Sequence, residues 1–531
     1  MIRTFAHPLA RRGLTLVEML VATTLTLILF FSVAQIFAFL GDTMHDARST
    51  IELSGNLRGL TTTMQTDLDC HTAPGLPWLP VGGNQGYFTV IEGSDRDRDF
   101  ATLASVAGDA DDIIAFTAYS KDQPFVGLIN GSLQRDTLDG VLRVTQPTDS
   151  SDVSPLTSHY AEIIYWTEFT DYDDTDGNGV RNADESVTLF RRVLLIRPDI
   201  DFTQYAESPL GTAGGPRRIT HLDVFNNSDL SVRPVPQSGG TYEWATNSLE
   251  DLQTRQNRHG SWLIGSFDPT NSIYESLASN SMDARKFPFP LKPTYLRSFE
   301  TMAKIVADEV TAGGTTTNFR DRTGEDVIMA KVLAFDVKVF DPFAPILIHS
   351  TDNDIAAIPG DVGFDTMNTG STYNDAGTGA FVDLNWSNIV TGGAGSPKNF
   401  DRGHFFSPPS GKFLADNAAA FTLAATARSP SIAPAGRAMV VYDTWPMIYE
   451  QDGLNQDYVA DGAANINTAP IDEGSNGIDD DGANGVDDPA ERETAPPYDR
   501  PLRGIQITIR AIEDGSRLIR QDTVTANLMT E

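Results

Sequence analysis

The sequence predicts an α+β protein in which a long N-terminal helix, apolar first and amphipathic later, packs on an antiparallel sheet with large loop insertions. Three observations carry that expectation. A charge-free apolar run extends from Met19 to Leu40; an apolar stripe mostly at spacings of three and four follows it; and beyond residue 78 short β-branched or aromatic segments alternate with turn-forming residues.

At 531 residues the chain exceeds what one ordinary core organises, so several lobes or heavy insertion are expected. Asp and Glu total 72 against 39 Lys and Arg, a formal charge of −33. Such a surface repels phosphate backbones, which argues against nucleic acid as a partner. The single cysteine, Cys70, rules out an intrachain disulfide, so stabilisation falls to packing or to metal.

As an α-helix, the run from Met19 to Leu40 is roughly 33 Å long, the thickness of a hydrocarbon core. Arg3, Arg11 and Arg12 precede it, and Asp42 and Asp46 follow. The positive-inside bias therefore predicts a single pass with the N-terminus cytoplasmic and the main domain outside. A removed secretory signal is the alternative. Against it, the run is longer than the apolar region of such signals, and "IFAFLG" offers no small-x-small cleavage site.

Past the run, Met44, Ala47, Ile51, Leu57, Leu60, Met64 and Leu68 form a stripe suited to lying on a sheet, although Gly55 and Gly59 weaken the helical signal. "HTAPGLPWLPVGG" then ends the helix, because its prolines and glycines cannot continue it. "DDIIAFTAYS", "AEIIYWTEF", "VTLFRRVLLI", "KVLAFDVKVF" and "RGIQITIRAI" read as strands. In "SLEDLQTRQ", Ser248 and Asp251 stand at capping-box spacing and predict one short helix. Residues 344–437 are rich in Gly, Asn, Asp, Thr and Ser, without periodicity; so long a loop is either a ligand-contacting surface or ornament.

Two acidic stretches point to metal. "DTDGNGVRNADE" fits a twelve-residue calcium loop: Asp174, Asp176 and Asn178 supply side-chain oxygens, Val180 its carbonyl, Asn182 a water-mediated contact, and Glu185 closes the shell. Gly179 permits the sharp turn. Arg181 departs from the pattern of paired helix–loop–helix sites, and the flanks read as strands, so the expectation is a calcium-stapled hairpin loop. An acidic, hydrated turn without metal is the competing reading. In "DEGSNGIDDDGANGVDDPAERE", Asn476-Gly-Ile-Asp-Asp recurs as Asn484-Gly-Val-Asp-Asp. Asp479, Asp481, Asn484, Asp487, Asp488 and Glu491 are candidate ligands there, with Ala483 breaking the twelve-residue register; a solvated loop is the alternative.

Enzyme signatures are thin. The histidines are scattered, "SGKF" lacks the upstream glycine of a phosphate loop, and no Gly-x-Ser-x-Gly elbow occurs, so no catalytic residue is nominated.

The N-terminal "RRGLTLVEML" resembles the prepilin processing motif of type IV pilins and type II secretion pseudopilins. That resemblance implies cleavage by prepilin peptidase between Gly13 and Leu14, N-methylation of Leu14, and pairing of Glu18 with the N-terminal amine of a neighbouring subunit. A carboxylate in a membrane costs a few kcal/mol unless paired. Snorkelling of Glu18 to the headgroups is the alternative. Further on, "IIYWT", "TLFRRV", "VLAFDVKVFD", "YDTWP" and "PLRGIQITIRAIEDGSRLIRQ" come in an order similar to the J-type minor pseudopilin of type II secretion. Pro501 and Leu502 stand in reversed order, and far more sequence separates the blocks. The chain also resembles the large pilin-like proteins of planctomycete-type bacteria.

The resemblance implies a basic leader over 1–13, a transmembrane helix over 14–41, an amphipathic extension over 42–72, and an exterior pseudopilin-like domain over 78–531. Insertions fall at about 200–325, 344–437 and 451–497. It implies a methylated tip or assembly subunit for protein transport, anchored in the bacterial inner membrane, its partners other pilin-like subunits; the acidic loops read above add exterior loops held by Ca2+, and the thin enzyme signatures a non-enzymatic role. The alternative is a minor pilin or surface adhesin whose polar loops bind glycans or a protein.

Overall fold

The computed structural model describes residues 15–92, 108–145, 153–169, 185–202, 228–237, 241–259, 322, 324–349, 356–361, 364, 373–384, 386, 440–455, 470–513 and 518–529. One helix, α1 (Leu16–Asp69), is followed by strands β1 (Phe88–Glu92), β2 (Ile113–Tyr119), β3 (Phe125–Asn130), β4 (Ser132–Arg135), β5 (Leu142–Thr145), β6 (Val153–Ser158), β7 (Tyr160–Glu168), β8 (Val187–Leu195) and β9 (Ile200–Asp201). Then come β10 (Val232–Gln237), β11 (Thr241–Thr246), the short helix α2 (Leu249–Gln253), β12 (Val327–His349), β13 (Ala356–Ala357), β14 (Tyr373–Val382), β15 (Val440–Asp443), β16 (Gly504–Ile512) and β17 (Ile519–Asn527). The fold is α+β, as expected.

The main sheet runs β15-β1-β2-β7-β8-β12-β16-β17, with β13 and β14 paired to the far part of β12. Its pairings are antiparallel. All five segments that read as strands lie in it, because each carries β-branched or aromatic residues that fit a pleated, buried surface. Smaller sheets pair β3 with β6 and β10 with β11, and join β4, β5 and β9.

The sheet is covered on both faces, which explains the unbroken apolar runs in β2 and β7. Alternate residues of these strands serve different cores. Ile114, Phe116, Ile163 and Tyr165 face the helix side, with Leu53, Leu57, Leu60, Met64 and Leu68 of α1. Ile113, Ala115, Ile164 and Trp166 face the other side, where Leu249 and Leu252 of α2, Val441 and Trp445 pack. Ser248 and Asp251 cap α2 reciprocally, as their spacing predicts. This second cover, built partly from an insertion, was not expected.

The predicted helical stripe needs correction. Leu57, Leu60, Met64 and Leu68 do lie on the sheet, joined by Leu53, but Met44 and Ile51 are each 73% exposed and Ala47 is exposed too. The reason is phase: at 100° per residue, Ile51 and Leu53 point about 200° apart. Two apolar stripes occupy opposite sides of one helix. Gly55 and Gly59 sit on the outer side with open space around them, and the helix continues through them because tertiary packing outweighs their poor propensity.

After α1 the chain is fastened at Gly75. Its amide donates to Leu528 O, its carbonyl accepts from Leu502 N and the Tyr442 hydroxyl, and a Cβ there would lie 2.2 Å from Leu502 O. Only glycine allows that approach.

Candidate functional site: the helical rod and the carboxylate clusters

Among the described residues, nothing buries the first half of α1. Residues 15–41 are exposed throughout, and burial begins at Ser49 and Leu53. This helix is long and apolar enough to cross a membrane, a property shared by anchors and signal sequences.

Gly13 and Leu14 lie outside the described residues; Glu18 is described. Its carboxylate accepts from Thr15 N at 2.8 Å and from the Thr15 hydroxyl at 2.9 Å, while Glu18 N donates to Thr15 Oγ1 at 3.2 Å. Thr15 and Glu18 thus form a capping box that satisfies donors at the start of α1. The sequence signal was present, since Thr-Leu-Val-Glu is itself a Thr-x-x-Glu box.

Of the first calcium-loop candidates, Asp174, Asp176, Asn178, Val180 and Asn182 lie outside the described residues. Glu185 is buried just ahead of β8. The flanking strands β7 and β8 are a hairpin pair, with Glu168 opposite Thr188.

The second acidic loop is described in full. Asp479, Asp481 and Glu491 each place a carboxylate oxygen within 4.8 Å of the other two. Glu491 is the buried member, and the amides of Asp480, Asp481 and Asp488 all donate to it. Burial pushes its carboxyl up, but the amides of Asp481, Asp488, Asp480 and Asp487 outweigh that and hold it below the ordinary carboxylate range. Asn484 and Asp487 adopt left-handed backbone at φ 57° and 53°. Asp487 accepts from Gly477 N at 2.8 Å and Asp488 from Ala490 N at 2.6 Å, so both carboxylates also serve the loop's own turns. Of the five acids nominated, three converge.

A second convergence was missed from sequence. Glu92 ends β1, Asp109 and Asp112 precede β2, and the three buried carboxylates bring oxygens within 4.8 Å of one another. Asp112 accepts from Val337 N at 2.7 Å and Glu92 from Leu384 N at 3.0 Å. The density of acids in "GDADD", directly before an apolar strand, was the available signal. Oxygen clusters of this size suit hard cations.

No family model, curated protein or solved structure matches the chain.

Proposed function

We propose that the chain is a prepilin-processed, membrane-anchored minor pseudopilin, a tip or assembly subunit of a type II secretion-like pseudopilus. What supports the reading is one continuous helix, Leu16–Asp69, whose apolar half projects bare and whose other half is built into a β-rich body. The motif "RRGLTLVEML" stands at its start. A bare apolar rod is unstable in water, so lipid or like rods must cover it. A large exterior body crowds the interior of a helical filament, whereas a tip position has room.

In this reading, removal of residues 1–13 places a charged amine at Leu14, and Glu18 sets axial register by pairing with the amine of a neighbouring rod. Before assembly, Thr15 supplies the donors that Glu18 would otherwise lack in a low-dielectric setting. Calcium then staples exterior loops: the Asp174–Glu185 hairpin loop, and the loop where Asp479, Asp481 and Glu491 converge. The first half of α1 lies in the inner membrane with its N-terminus cytoplasmic.

Mass spectrometry of the native chain's N-terminus tests the processing. The expected species begins with N-methylated Leu14, and Glu18→Ala is expected to lower incorporation into an assembly at least tenfold. A mature chain retaining residues 1–13 in cells with active prepilin peptidase, or unchanged incorporation of the variant, defeats the reading.

A further inference from the structure

We infer that the water-exposed stretch of α1 from Leu40 to Ile51 is a docking seam for the same stretch of a second copy of this chain, the two helices lying parallel. The inference rests on the membrane-anchored reading above and names a partner for the helix. Within the apolar run every face is greasy, so a seam becomes legible only where charges begin. There the residues sort cleanly. Phe37, Leu40, Met44, Ala47 and Ile51 recur at alternating spacings of three and four, the a and d positions of a heptad, while Asp42, His45, Asp46 and Glu52 fall at f, b, c and b.

Among the described residues, the protein's own body leaves this seam exposed. It packs on the opposite side of the helix, where Ser49 is 9% and Leu53 7% exposed, against 73% for Met44 and Ile51. Lipid does not cover it either, since the stretch carries α1 roughly 16 Å beyond Leu40 among charged residues. A second copy fits for three reasons. Anchoring in one membrane makes every copy parallel and sets equal residues at equal height, the in-register geometry that a heptad seam requires, at high effective concentration. In that register Arg48 at e faces Thr43 at g of the other copy, so no like charges meet across the seam. Continued upstream through Val33 and Phe30, the same alternation of three and four runs on into the apolar half of α1, so the seam is continuous with the anchored part of the helix.

The test uses the full chain in its native membranes, with Cys70→Ser as background. Single cysteines are placed at the seam (Met44→Cys, Ala47→Cys, Ile51→Cys) and off it (His45→Cys, Glu52→Cys), and mild oxidation follows. The seam positions are expected to give a disulfide-linked species of twice the chain mass at least fivefold more efficiently than the off-seam positions. Ile51→Asp is expected to cut the Ala47→Cys product by a similar factor. Equal yields at all positions, no product, or a product of another mass overturns the seam. An alkaline carbonate wash of the same membranes separates the two readings. A chain that washes off defeats both, while a retained chain without the periodic pattern defeats the seam alone.

Discussion

Arg191 grips Asp67 through two hydrogen bonds of 2.7 and 2.9 Å, and the Tyr165 hydroxyl donates to the same carboxylate at 2.6 Å. The last turn of α1 is thereby tied to β7 and β8 at the middle of the sheet, where the side chain of Asp67 is only 5% exposed. Burial opposes the charge on Arg191, but the Asp67 carboxylate wins and pushes its ionisation further up. The contact between the end of α1 and the sheet is therefore ionic as well as apolar.

Removing that carboxylate strands two partners at once. Asp67→Ala is expected to destabilise the fold by about 3 kcal/mol, since a half-buried guanidinium and a buried hydroxyl both lose their acceptor. Denaturant unfolding of the detergent-solubilised chain measures it, and a loss below about 1 kcal/mol would show that the clamp is incidental.

The two stripes of α1 predict opposite outcomes for similar truncations. Met64 is fully buried against the sheet, so Met64→Ala is expected to cost about 3 kcal/mol of transfer and cavity energy. Ile51→Ala, on the outer side, is expected to change monomer stability by no more than about 0.5 kcal/mol. Equal costs at the two positions would mean that the helix is rotated from the orientation described.

Glu162 predicts a pH dependence. It is fully buried and accepts from Tyr87 Oη at 2.6 Å, His259 N at 2.9 Å and Ser231 Oγ at 2.7 Å. Burial raises its carboxyl above the ordinary value of 4.5, and the three donors offset this only in part. The folded state thus holds this proton more tightly than the unfolded chain. Its contribution is fully present below about pH 4.5 and is lost as pH rises through the folded value. Glu162→Gln removes that slope, so the stability difference between wild type and variant is expected to fall as pH rises above 4.5 and then to level off. A difference independent of pH would rule the assignment out.

For metal, calcium over chelator is expected to raise the melting temperature of the full chain by about 5 °C, as saturating a site that exists only in the native state requires. The double change Asp481→Asn with Glu491→Gln is expected to abolish the share due to the second loop, and Asp176→Ala with Glu185→Ala that of the hairpin loop. Since Glu491 also caps three backbone amides, the informative quantity is the calcium-dependent difference within each variant. Identical wild-type melts with calcium and with chelator defeat the calcium reading.

The sequence by itself determined what depends on near neighbours. The apolar run, the helix stop at the Pro- and Gly-rich segment, the five strands and the Ser248 cap are all local consequences of side-chain pattern and backbone preference. Only the tertiary structure decided which of two stripes on α1 meets the sheet, because 44/47/51 and 57/60/64/68 each satisfy helical spacing, and the step of six between Ile51 and Leu57 marks a phase break without saying which side the sheet takes. It also decided that Tyr165 and Arg191 meet Asp67, and that Glu92 joins Asp109 and Asp112. Such encounters depend on strand order and register across long stretches of chain, and periodicity, which reports only what lies within a turn or a strand, carries no information about them.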